Sequence, residues 1–122
     1  MTKALHLPTL LLVLLLGGCT TADQPNHSLD VMTFNIRLNL PSDGVNAWPN
    51  RKDMVVNLIK YYEPDIMGVQ EALSGQVKDL SEGLTAYDWI GVGRDDGLEQ
   101  GEFMAIYYLK ERFKLLQHAT FW

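Results

Sequence analysis

At 122 residues, with 47% apolar and 20% charged content, the chain has the size and composition of one small globular domain, which excludes a disordered or fibrous chain. A formal charge of −5 at pH 7 leaves no basic footprint for long nucleic acid, and the single cysteine, Cys19, excludes an intrachain disulfide and a cysteine-built metal site. Any metal here needs oxygen or imidazole ligands, and oxygen ligands favour a hard cation.

Residues 1–18 read as an export signal: Lys3 is the only charge ahead of Leu10 to Leu16, a run of Leu and Val alone. That run is too short to cross a hydrocarbon core, which takes about 20 apolar residues. Leu16-Gly17-Gly18-Cys19 resembles the lipobox of bacterial lipoproteins, which implies that the Cys19 thiol accepts a diacylglyceryl group and becomes the mature N-terminus. The alternative is a free thiol after an ordinary signal. With lipidation, the expected location is a bacterial cell-envelope membrane, on its periplasmic or outer surface, and the polar stretch 19–28 is the tether. Removing residues 1–18 takes away one Lys and no acid, so the charge moves from −5 to −6.

The folded part is expected over 29–122. Leu29 to Leu40 carries bulky groups on both alternating sets, Leu29 and Val31 against Met32, Phe34 and Ile36, and is predicted as a central strand. Pro41 to Pro49 is turn chemistry, after which Asn50 is predicted to cap a helix that runs to about Tyr62. In that helix Met54, Val55, Leu58, Ile59 and Tyr62 form the apolar stripe. Pro64 stops it, and Asp65 to Glu71 is a short buried strand ending in a carboxylate. Ser74 to Leu84 is a weaker helix, and Asp88 to Val92 is a strand. Asp95-Asp96-Gly97 then turns the chain. Glu102 to Tyr108 and Lys114 to Trp122 are read as two further strands joined by a hairpin-length connection. The predicted order is β-α-β-α-β-β-β.

Two polar groups stand out in apolar strands, Asn35 and Glu71. A buried carboxylate without a partner costs several kcal/mol or is driven neutral, so Glu71 needs a cation or a dense set of donors. Asn35 can orient such a carboxylate if the two strands lie side by side. Arg37, two residues further along the strand, should share the face of Asn35 and meet a phosphate, or else lie on the surface.

The segments Thr33-Phe34-Asn35-Ile36-Arg37, Trp48 to Lys52, and Pro64 to Glu71 resemble the opening of the endonuclease/exonuclease/phosphatase superfamily, the deoxyribonuclease I-like fold. Gly91 to Gly97 and Gly101-Glu102-Phe103 resemble the next segment of its secreted bacterial branch. The resemblance implies an α/β (α+β) fold, with this chain as the N-terminal half of a four-layer α/β sandwich. It also implies a Mg²⁺- or Mn²⁺-dependent phosphoester hydrolase, in which Glu71 binds the metal, Asn35 lies beside the metal and the scissile phosphate, and Glu102 supports a catalytic His. Arg37 and Arg94 are the candidate phosphate contacts, Arg94 having a loop ion pair with Asp95 or Asp96 as its bland alternative. Trp48, Tyr87, Trp89, Tyr107 and Tyr108 are read as core, and His118 as structural.

The family's catalytic His, Asp-x-Asn pair and closing Asp-His come later than residue 122, so the chain is expected to be a truncated, inactive fragment of a monomeric enzyme. Nucleic acid, a phospholipid headgroup and a sugar phosphate are all substrates compatible with these motifs. A second reading is a surface lipoprotein that uses the same fold to bind a ligand without catalysis, and the residues beyond 122 separate the two.

Overall fold

The computed structural model describes residues 28–121. The export signal, Cys19, and the tether up to residue 27 lie outside the described residues, as does Trp122. The described elements are strand β1 (Val31–Asn35), a 3-10 turn (Pro41–Asn46), helix α1 (Trp48–Tyr62), β2 (Ile66–Ala72), helix α2 (Ser74–Gly83), β3 (Tyr87–Ile90) and β4 (Phe103–Leu109).

The strands form one mixed sheet in the order β1-β2-β4-β3. β1 runs parallel to β2, joined through α1, while β4 runs antiparallel to both β2 and β3. One face is covered by the two helices: Val55, Val56 and Ile59 of α1 and Val77 and Leu80 of α2 share a core with Met67, Val69, Ala105 and Tyr107. Trp48 Nε1 donates to Asp79 Oδ2 at 2.7 Å and ties the start of α1 to α2. Among the described residues no helix covers the opposite face, where Val31, Met104 and Ile106 are exposed.

Four sequence expectations are corrected. β1 is shorter than Leu29 to Leu40 and, among the described residues, is the first strand of the sheet order; its burial alternates because only the Met32 and Phe34 side is covered. α1 begins at Trp48 with Ala47 as its N-cap, because Pro49 has the fixed φ that suits a first turn, and Asn50 instead donates its side-chain amide to the Gly44 carbonyl. The buried stripe of α1 is Trp48, Val55, Val56 and Ile59, which leaves Met54, Leu58 and Tyr62 exposed. The expected strand over 114–122 is absent among the described residues: β4 already has β2 on one side and β3 on the other, so a hairpin partner has no free ladder beside it.

A half-buried ion pair ties together one end of the sheet. Asp65, 2% exposed, accepts from the Arg112 guanidinium and from the Asp30 backbone N–H at 3.0 Å. It anchors the entry to β2 and the turn after β4 to the chain segment that leads into β1.

Candidate functional site

β1 and β2 are parallel, so their C-terminal ends lie at the same end of the sheet, where open α/β sheets place their ligands. Asn35 is the last residue of β1 and pairs with Gln70 of β2. The β2–β4 register shifts by one residue between Val69, opposite Ala105, and Ala72, opposite Phe103. Gln70 and Glu71 therefore both stand opposite Met104, which is a β-bulge. Glu71 takes a left-handed backbone with φ 60°, which is uncommon for a residue with a side chain and costs about 1–3 kcal/mol.

The bulge aims Glu71 at Asn35. Asn35 Nδ2 donates to Glu71 Oε1 at 2.7 Å, and the Leu38 N–H donates to Oε2 at 3.3 Å. The bond from Asn35 is the largest cause that holds the Glu71 carboxyl below its usual range, followed by the Leu38 amide; burial opposes them, and the nearby Arg37 charge adds to the lowering. Glu71 is thus ionised near neutral pH. Asn35 is fixed in turn, because its Oδ1 accepts from the Arg37 N–H at 2.9 Å. Gln70 donates from Nε2 to Thr33 Oγ1 at 3.2 Å on the same open face.

A cavity of about 740 Å³ opens beside this pair, lined by Asn35, Gln70, Glu71, Arg94 and Glu102 among others. Arg94 reaches Glu102 at 3.5 Å and Asp95 at 3.7 Å, and its side chain is 62% exposed. Exposed ion pairs of this kind contribute about 0–1 kcal/mol, so they hold Arg94 only weakly. His118, read from the sequence as structural, is exposed outside any strand and lines the cavity too.

Arg37 is not brought to this cavity. The strand ends at Asn35, and Arg37 has left-handed φ 61°, so it no longer shares the strand face of Asn35. Its guanidinium instead holds Asp43 through two bonds, at 2.6 and 2.7 Å. That pairing raises Arg37 and lowers Asp43 from their ordinary values. The contribution of Gln70 escaped the sequence reading; the only signal was its position beside Glu71.

The donor set fits a hard divalent cation in part. It offers one ionised carboxylate and neighbouring amide groups, while among the described residues no three His, Cys, Asp or Glu side chains cluster to enclose a metal. Mg²⁺ is commonly held by one or two carboxylates and completes its shell with water and substrate phosphate, so a sparse set is adequate.

The loop 94–101, which carries Arg94, folds back over Gly93. A Cβ on Gly93 would lie 2.2 Å from the Gln100 carbonyl oxygen, which is backbone and cannot step aside alone. Gly93→Ala is expected to destabilise the protein by about 1–3 kcal/mol through overpacking, and to speed proteolytic cutting within 94–101. Chemical denaturation and limited proteolysis check this, and an unchanged cutting rate would contradict it.

A family model described as the Endonuclease/Exonuclease/phosphatase family matches residues 32–119. No curated protein matches the chain. Among solved structures, an endonuclease/exonuclease/phosphatase from Bacteroides vulgatus is 44% identical, with a TM-score of 0.68 over 73% of this chain and 33% of its own. A mannosyl-6-phosphatase from Bacteroides thetaiotaomicron is 39% identical, with a TM-score of 0.71 over 74% of this chain and 34% of its own. The catalytic domain of human Nocturnin, at 23% identity and a TM-score of 0.59 over 73% of this chain and 35% of its own, shares the fold. The chain spans about a third of the length of each of these structures.

Proposed function

The chain belongs to the endonuclease/exonuclease/phosphatase family, and on that premise we propose that the whole protein hydrolyses a phosphoester with a divalent cation, Mg²⁺ or Mn²⁺, held by Glu71. The observation that carries this reading is the 2.7 Å bond from Asn35 to a Glu71 carboxylate that a bulge turns toward a cavity at the ends of two parallel strands. A strained backbone that persists at a sheet end is a mark of a functional site.

A cation bound there supplies polarisation of a phosphoryl oxygen and stabilisation of the leaving oxygen. This chain's own residues do the rest of what is visible. Glu71 contributes the anionic ligand, and Asn35 fixes its orientation. Arg94 offers a guanidinium that can exchange Glu102 and Asp95 for a phosphate, and Glu102 holds it at the rim until then. The general base that activates water is assigned, by the family resemblance, to the sequence after residue 122.

Among the three substrate classes compatible with the motifs, the 39% identity to a mannosyl-6-phosphatase supports a sugar phosphate monoester over nucleic acid or a phospholipid headgroup. The acidic charge points the same way, since long duplex DNA needs a basic footprint. The protein is proposed to act as a monomer at a bacterial envelope membrane, anchored through lipidated Cys19, a reading supported by the lipobox-like Leu16 to Cys19.

The test is turnover by the full-length protein on a panel containing hexose 6-phosphates, a phosphodiester and single-stranded DNA, with Mg²⁺, with Mn²⁺ and with chelator. Cation-dependent release of phosphate from the sugar phosphates is the expected result. Absence of turnover on every phosphoester, with the protein folded and the cation present, would overturn the proposal.

A further inference from the structure

The segment that follows β1 carries the two backbone amides that hold the site. The Arg37 N–H fixes Asn35, and the Leu38 N–H bonds Glu71. Arg37 is left-handed at φ 61°, a conformation that costs an L-residue about 1–2 kcal/mol and needs support from its surroundings. The support comes from the other side of the same peptides. Arg51 Nη1 donates to the Ile36 carbonyl, Nη2 to the Arg37 carbonyl at 2.8 Å and Nε to the Asn46 carbonyl at 2.8 Å. The guanidinium itself stacks over the Trp48 ring, its carbon 5.2 Å from the centroid.

Gln76, 1% exposed in the first turn of α2, grips the same stretch from a second direction. Its Nε2 donates to the Arg37 carbonyl at 2.9 Å, and its Oε1 accepts from the Asn39 N–H at 3.0 Å and the Leu73 N–H at 3.1 Å. Carbonyls thus point outward to Arg51 and Gln76, while amides point inward to Asn35 and Glu71.

The geometry points to Arg51 and Gln76 as positioning residues that set the affinity of Glu71 for its cation by clamping the Ile36 to Leu38 peptides. The assignment rests on Glu71 as the cation's ligand. Neither residue touches the cavity, and the Trp48 to Lys52 motif acquires a physical role through Arg51. Outer partners that orient a metal ligand typically contribute about 10–100-fold in metal affinity.

The experiment is Mn²⁺ titration calorimetry on the full-length protein and its Arg51→Lys, Gln76→Glu and Glu71→Gln variants, with thermal melts of each. Lys cannot reproduce the planar fork that bonds several carbonyls, and Glu keeps the acceptor of Gln76 but loses the donor to Arg37. Arg51→Lys and Gln76→Glu are expected to weaken Mn²⁺ binding about tenfold or more at a temperature where the melts show them folded. In a Glu71→Gln background, neither should weaken it further. If Arg51→Lys does not fold, Gln76→Glu carries the test alone. Mn²⁺ affinity within twofold of wild type in the folded variants, alongside a weakened Glu71→Gln, would overturn the clamp alone. Equal Mn²⁺ binding by wild type and Glu71→Gln would instead overturn the ligand assignment, and the clamp with it.

Discussion

Replacing Glu71 by Gln in the full-length protein is expected to lower cation-dependent turnover by about 10²-fold or more, because the loss of a direct anionic ligand should exceed the 10–100-fold typical of its outer partners. Gln keeps the size of the side chain and one of the two acceptors, for Asn35 Nδ2 or the Leu38 N–H, so the fold should persist while the charge that faces the cavity is gone. Part of the loss should be recovered at high Mn²⁺, since weaker binding is met by mass action. Equal turnover by wild type and variant would remove Glu71 from the mechanism.

The pH dependence follows from the same contacts. The Glu71 carboxyl titrates below its ordinary value of 4.5, chiefly through the Asn35 bond. Its stabilising contacts are fully present above the unfolded-state value and are lost as the pH falls through the lower, folded value. The acid limb of cation binding should therefore lie below the usual carboxylate range. Asn35→Ala should move that limb upward, and a limb unmoved by this change would contradict the stated cause.

Tyr107→Ala is expected to destabilise the full-length protein by about 3–5 kcal/mol, the range for truncating a large buried aromatic. Tyr107 is 1% exposed in the middle of β4, stacks with Trp89 at 6.2 Å and donates its hydroxyl to the Val77 carbonyl at 3.2 Å. Burial pushes its hydroxyl up to about 12, so it remains a neutral donor throughout the working pH range. Tyr107→Phe keeps the ring and should cost only about 1 kcal/mol, because the Val77 carbonyl retains the Ser81 hydroxyl as a donor at 2.9 Å. Chemical denaturation of the three proteins measures both values; similar losses in the two variants would show that the hydroxyl, not the ring, dominates.

The sequence carried the elements whose apolar pattern is strong and local. β2 was legible because Ile66, Met67 and Val69 run up to a carboxylate after Pro64, and α1 because its spacing is helical over four turns. Asn35 and Glu71 were legible as polar groups in apolar strands, and the structure joins them directly. What was not legible depended on pairing. Residues 114–121 have a strand-like composition, but composition does not reveal that β4 is already flanked on both sides. The left-handed turns at Arg37 and Glu71 carry no glycine to announce them, so Arg37 was read onto the strand face and found on Asp43. Arg51 and Gln76 looked like ordinary polar helix residues, since the Arg37 carbonyl they share lies 14 and 39 positions away.

A regular strand spends every second residue on the hidden side, so it can set functional groups along one face only about every 6.6 Å. The insertion of one residue in β2 breaks that rationing and seats an amide and a carboxylate shoulder to shoulder opposite a single methionine. Excising one residue there would give the protein a straighter, more orthodox ladder. It would also halve the polar equipment at that level of the sheet, so at this position a tidier scaffold and a working centre are competing demands on the same backbone.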